Sequence, residues 1–354
     1  MSIAVEEKIF HYKQPFDLES GEYLPSVKVK YTTYGTLSPQ KDNVIWICHA
    51  LTADANPADW WEGLVGEGKL YDPNKYFIIC ANMIGSCYGS SGPLDINPTT
   101  MRLYQHDFPQ VTVRDMVKGL DLLREELKID SIHTLIGGSM GGMQALEWSC
   151  EKPDLFQNMI VLATNASHSA WGIAFNETQR MTIKADPTWK RSDENAGRNG
   201  LKAARALALI SYRNYDAYCN TQSETDIEKL DRYKASSYQE YQGDKLVSRF
   251  NVVSYMLLSK AMDSHQVGRG RGSVEEALAK VTANTLSIGV SSDILFPPVE
   301  QKRIADLISD AEYQEIDSFY GHDGFLVESK AITEIILAFY KSKNVNFMSH
   351  AENY

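Results

Sequence analysis

Four short stretches constrain the fold of this chain more than anything else in it: "NVIWICHAL", "YFIICANM", "IHTLIGG" and "MIVLAT". Each is apolar at consecutive positions and rich in β-branched residues. Successive side chains of a strand point to opposite faces of its sheet. A strand with one wet face would therefore alternate apolar and polar, whereas one apolar throughout is buried on both faces, the situation of a parallel sheet covered by helices. "VKVKYTTYG" and "TLSIGVSSD" read as further strands. Between the strands lie helical patterns, clearest in "VRDMVKGLDLLREEL", where Val113, Met116, Val117, Leu120, Leu123 and Leu127 form one apolar stripe. Strand and helix in alternation predict an α/β fold with a mostly parallel, doubly wound sheet.

The alternation stops between Ser167 and Thr282, where "GLKAARALALISYR" and "SRFNVVSYMLLSKAM" are helical and strand signals are few. Its Tyr, Leu and Met residues read as core packing. Since the sheet pattern resumes at "TLSIGV", residues 167–282 are expected to form a helical insertion, and residues 1–166 and 283–354 the sheet-bearing core. A chain of 354 residues is long enough for one such domain with its insertion.

With 35 Lys plus Arg against 46 Asp plus Glu, the net charge of −11 repels phosphate backbones and anionic lipid, so neither nucleic acid nor membrane is expected as a partner. A small anionic ligand needs only a local basic pocket and stays open. Five scattered cysteines without a Cys-x-x-Cys pair match a reducing compartment better than a disulfide framework or a zinc site. The start "MSIAVEEKIF" lacks the basic and apolar regions of a signal peptide. No run reaches the roughly 20 apolar residues of a membrane span. Cytoplasmic location and no bound metal or cofactor are the expectations.

The chemistry is carried by "GGSMGGMQ", residues 137–144, between the strand "IHTLI" and the helix "MQALEWSCEK". Gly-x-Ser-x-Gly at a strand-to-helix turn presents its serine on a strained elbow. Glycines at 137 and 141 avoid collisions with the neighbouring backbone, and the helix N-terminus favours developing negative charge. A tight turn that merely needs small residues is the plain alternative. A serine nucleophile requires a base oriented by a carboxylate, in this context in the chain order Ser, acid, His. Asp293 follows the strand "TLSIGV", though an Asp there also suits a turn or helix cap. His322, in "FYGHDGFL", follows the last strand candidate, "AEYQEIDS". His11, His106, His133, His168 and His265 lack such a setting, and His350 lies in a polar tail. For an oxyanion, backbone N–H groups of Met140 and of Leu51 in "ICHALTADA" are the expected donors, with His49 a structural loop residue.

These segments, together with "DWWEGLVGEGKLYDPNKYFIICANMIGSCYGSSGPLDINP", "GLKAARALALISYR", "SSDILFPP" and "GHDGFL", make the chain resemble the homoserine O-acetyltransferase family of α/β-hydrolase enzymes over nearly its full length. The resemblance implies acetyl transfer from acetyl-CoA to the side-chain hydroxyl of L-homoserine in methionine biosynthesis. It further implies a helical lid over the site and a homodimer formed largely through that lid. It assigns Ser139 as nucleophile, Asp293 as acid and His322 as base, with Arg205 of "KAAR" and Asp323 binding the amino acid and Arg213 a second candidate for the arginine. An arginine and an aspartate suit a zwitterion, whose charges are costly to bury unpaired. Ala53 and Ser86 depart from the family's usual "HALTG" and "GGCYG" and are candidate acyl-pocket residues, which leaves a succinyl donor as an alternative. Serine or water as acceptor is the other alternative. "GRGRG" at 268–272 reads either as a contact for CoA phosphates or as a solvated basic loop.

Overall fold

The computed structural model describes residues 5–345 apart from Ser192 and Glu194. Its main sheet has eight strands: β1 (Val5–Tyr12), β2 (Val27–Tyr34), β3 (Val44–Cys48), β4 (Phe77–Ala81), β5 (Ile132–Gly138), β6 (Phe156–Leu162), β7 (Asn284–Val290) and β8 (Ala311–Ile316). Their spatial order is β1-β2-β4-β3-β5-β6-β7-β8. β2 runs antiparallel to both neighbours, and every pairing from β4 to β8 is parallel.

The continuous apolar runs are explained by two cores. In β3, Val44, Trp46 and Cys48 enter the core on one face, while Ile45 and Ile47 enter the core on the other. Leu135 and Ile136 of β5 divide in the same way. Helices α1 (Val113–Glu126) and α2 (Met140–Glu151) contribute to the first core; α1 begins at a capping box in which Thr112 and Asp115 satisfy each other's N–H. Trp61, Leu64 and Tyr71 cover the opposite face. β7 is a partial exception to the apolar pattern. Leu286, Ile288 and Val290 fill the second core, and the buried Ser287 hydroxyl turns the other way to donate to the Gln301 carbonyl at 2.9 Å.

After β6 the chain leaves the sheet and returns through a single bridge, Ser167 opposite Gln266, reinforced by His168 N–H to His265 O at 3.0 Å and Val267 N–H to Ala166 O at 3.0 Å. Between those crossings lie α3 (Ala170–Ala185), α4 (Arg198–Tyr212), α5 (Tyr215–Gln222), α6 (Lys234–Val247) and α7 (Val252–Asp263). Residues 267–282 lead back to the sheet. There Arg271 pairs with Glu147 at 2.7 Å and Glu151 at 2.8 Å, both on α2. α8 (Pro298–Leu307) follows β7, and α9 (Ser329–Ser342) lies against the second core through Ile332, Ile336 and Phe339. Among the described residues no helix is long and apolar enough to cross a membrane.

Candidate active site

The carboxyl ends of β3, β5, β7 and β8 converge at one edge of the sheet, where ligands bind in open α/β folds. Ser139 follows β5 with φ 55° and ψ −125°, a backbone conformation that a residue with a side chain adopts only when its surroundings impose it. The restraints are visible. Ser139 N–H donates to Leu162 O at 2.9 Å, and Ser139 O accepts from the Thr164 hydroxyl at 2.7 Å and from Met143 N–H at 3.2 Å. The two flanking glycines are sterically required: a Cβ on Gly137 would lie 2.3 Å from Gly141 O, and one on Gly141 would lie 2.1 Å from Cys48 O.

His322 Nε2 lies 2.9 Å from Ser139 Oγ, and its Nδ1 lies 2.7 Å from Asp293 Oδ2. The other carboxylate oxygen, Oδ1, accepts N–H groups from Leu295 at 2.8 Å and Phe296 at 2.9 Å, so the loop after β7 fixes the carboxylate plane. Phe296 stacks on the imidazole at 5.1 Å, with Phe325 at 5.2 Å and Tyr212 at 5.6 Å completing its enclosure. Ser139, Asp293 and His322 are 7%, 3% and 3% exposed, so the array lies buried beneath the surface. The N–H groups of Leu51 and Met140 donate to no protein acceptor among the described residues and are available to an incoming oxygen.

A hollow of about 80 Å³ opens at Ser139, walled in part by Leu51, Thr52, Arg205, Tyr212, His322 and Asp323. Arg205 has no carboxylate partner among the described residues; its guanidinium lies over the Tyr212 ring at 5.4 Å. Asp323 instead pairs with Arg213, Nε to Oδ2 at 3.1 Å. Burial pushes its carboxyl above the usual range, against the pull of Arg213, Arg205 and His322 toward the charged form. Arg213 thus approaches the site through Asp323. Ala53 and Ser86 are not among the residues that wall this hollow.

His49 is fully buried, and burial holds its imidazole below the ordinary value. Its Nε2 accepts from Met83 N–H at 3.2 Å, leaving Nδ1–H to donate to Ala50 O at 2.9 Å; it braces a loop. "GRGRG" is exposed at Arg269, Gly270 and Gly272, in keeping with a solvated loop, but both of its arginines are ion-paired. Arg269 pairs with Glu19 at 3.0 Å, Arg271 with Glu147 and Glu151, and Arg114 joins Glu19 at 2.9 Å to Glu147 at 2.6 Å. That network fastens the returning chain to the core. His350 lies outside the described residues. Sequence reasoning passed over Gln144, whose buried Nε2 donates to His49 O at 3.1 Å and Met140 O at 3.2 Å. Its position one turn into the elbow helix was the available signal.

Sheet order and elbow define an α/β-hydrolase-fold protein, and the model of the α/β hydrolase fold family matches residues 43–329. A homoserine O-acetyltransferase of Cyclobacterium marinum is 48% identical over 97% of this chain and 98% of its own. The chain belongs to the homoserine O-acetyltransferase family and is an enzyme. Among solved structures, the homoserine O-acetyltransferase from Bacillus anthracis is 28% identical, with a TM-score of 0.88 over 95% of this chain and 97% of that one. Esterase E22, 26% identical, has a TM-score of 0.87 over 95% of this chain and 100% of that one.

Proposed function

We propose that this enzyme moves an acetyl group from acetyl-CoA to the side-chain hydroxyl of L-homoserine through an acetyl-Ser139 intermediate. The observation that carries the reading is the hydrogen-bonded Ser139–His322–Asp293 array opening into a hollow that also presents an arginine and an aspartate. In the first half-reaction His322 Nε2 takes the Ser139 proton, Ser139 Oγ attacks the thioester carbonyl, and the N–H groups of Leu51 and Met140 receive the oxyanion. His322 returns the proton to the departing CoA sulfur. In the second, the homoserine hydroxyl gives its proton to His322 and attacks the ester carbonyl, and Ser139 leaves with that proton. Asp293 stabilises the imidazolium in both.

Arg205, without a carboxylate partner among the described residues, suits the homoserine carboxylate, and Asp323 suits the ammonium. The same reading makes the helical excursion a lid, gives the enzyme a place in methionine biosynthesis in the cytoplasm, and makes it a homodimer. The dimer contact would use the exposed apolar side chains of the excursion, Ile227 at 91% and Leu230 at 90% exposure among them. The likeness to esterase E22 supports a second reading, with water as acceptor on the same array. Ser139→Ala tests what both readings share. The folded variant should release no CoA from acetyl-CoA, with or without homoserine, and substantial turnover by it would show that another nucleophile acts.

A further inference from the structure

The loop after β3 carries Leu51, one of the two oxyanion donors in the proposed mechanism, and it is held from two sides. On the core side, Gln144 Nε2 spans His49 O at 3.1 Å and Met140 O at 3.2 Å, tying this loop to the elbow. The other anchor comes from the helical excursion. Arg249, in the turn between α6 and α7, donates from Nη1 to Thr52 O at 2.5 Å and to the Tyr88 hydroxyl at 2.5 Å. Thr52 directly follows Leu51. Two hydrogens on one nitrogen serve two acceptors on two different loops.

The setting of Arg249 shows that these contacts are built in. Its backbone is fixed at both ends: Arg249 N–H donates to Leu246 O at 3.0 Å, and two residues on, Asn251 caps α7 by accepting from Val253 and Ser254 N–H. Phe250 packs edge-on against Tyr88 at 5.6 Å, fixing the second acceptor as well. Arg249 is exposed, yet the partners its side chain takes among the described residues are the uncharged Thr52 O and Tyr88 hydroxyl, although the chain carries 46 acidic side chains. Among the described residues its Nη1 donates to two neutral oxygens, one of them on the loop that carries Leu51. The excursion holds the base loop comparably, since Arg213 pairs with Asp323, the neighbour of His322.

We infer that Arg249 is a positioning residue: by holding Thr52 O it sets the Leu51 N–H against Ser139, so that the oxyanion pocket is complete only with the helical excursion seated on the core. The inference rests on the acetyl-Ser139 reading above. Oxyanion donors act in forming and in breaking the acyl-enzyme, so loosening the loop slows both half-reactions and changes ground-state binding little. A donor displaced by about 1 Å costs up to about 100-fold in rate.

The test uses the full-length protein with p-nitrophenyl acetate, a neutral ester lacking both phosphates and an amino-acid group, alongside acetyl-CoA with homoserine. Arg249→Met should lower the p-nitrophenolate burst rate and kcat with acetyl-CoA by about 10- to 100-fold each, with KM within about threefold of wild type. Arg249→Lys, which can still reach one acceptor, should recover part of both rates and keeps the test open if the Met variant folds poorly. An Arg249→Met protein with a normal burst and a raised KM for acetyl-CoA alone would overturn the inference and make Arg249 a phosphate contact. Reduced thermal stability with unchanged kcat would overturn it in favour of a purely structural role. A wild-type enzyme without any Ser139-dependent burst would instead refute the acyl-enzyme reading, so the two failures are distinguishable.

Discussion

Gly141→Ala is a one-carbon change whose consequence follows from the geometry of the elbow. The new Cβ would lie 2.1 Å from Cys48 O, 2.9 Å from Cys48 C and 3.2 Å from His49 O. A carbon–oxygen contact of about 3.3 Å is comfortable, so the Cys48–His49 backbone must retreat by about 1 Å. That backbone leads directly into Leu51. Over-packing of this kind costs about 1–3 kcal/mol of stability, and a displacement of about 1 Å at a transition-state donor costs about 100-fold in rate. The assay pairs a urea unfolding curve with p-nitrophenyl acetate turnover in the presence of homoserine, which discharges the acetyl-enzyme. The expected outcome is a folded protein, moderately destabilised, with kcat down by about two orders of magnitude. Wild-type stability and turnover would refute the steric argument. A stability loss with unchanged kcat would show that the strain is relieved in α2, not in the oxyanion loop.

The amino-acid contacts and the buried histidines give further tests. Arg205→Met and Asp323→Asn each leave one end of a bound zwitterion unpaired, which should cost the acceptor half-reaction about 2–5 kcal/mol; CoA release from acetyl-CoA alone should survive, and equal damage to both halves would contradict the assignment. Burial holds His168 down at about 4 and His265 at about 3, where the excursion leaves and rejoins the core. Both are neutral when folded, so the unfolded chain takes up protons below the ordinary value near 6.5 that the folded chain does not. Stability is then full above about pH 6.5 and falls as pH drops toward 4, by about 3 kcal/mol for His168 alone. Urea midpoints measured from about pH 7 to about pH 4.5 should fall more steeply for wild type than for His168→Gln, and equal slopes would rule the linkage out.

The parallel sheet was legible because burial on both faces leaves a mark in composition: Val44 to Cys48 is apolar at every position because the two cores take its residues alternately. The elbow was legible because backbone collisions there admit only glycine at 137 and 141. The order Ser139, Asp293, His322 pointed to a convergence that the structure shows as two hydrogen bonds. Pairings between distant polar residues were not legible. Arg213 with Asp323 joins positions 110 apart, and Arg249 with Thr52 joins positions 197 apart, and no periodicity encodes either. The ion pairs of the "GRGRG" arginines were not legible for the same reason: their partners Glu19, Glu147 and Glu151 sit on other elements. The helical excursion was visible as a loss of strand signal. Its closing pair, Ser167 and Gln266, was not.

In the proposed mechanism Ser139 must hold an acetyl group long enough for homoserine, and not water, to take it. The array of Ser139, His322 and Asp293 serves either acceptor. At ~55 M water, transfer wins only if the site positions the amino acid with an effective molarity of about 10⁵ M or more. Rapid mixing of the enzyme with acetyl-CoA alone, following free thiol, measures this directly. Release of about one CoA per active site should be followed by a near halt, and steady release should begin once homoserine is added. Continuous release without homoserine, at a rate near that with it, would contradict the account and make water the acceptor.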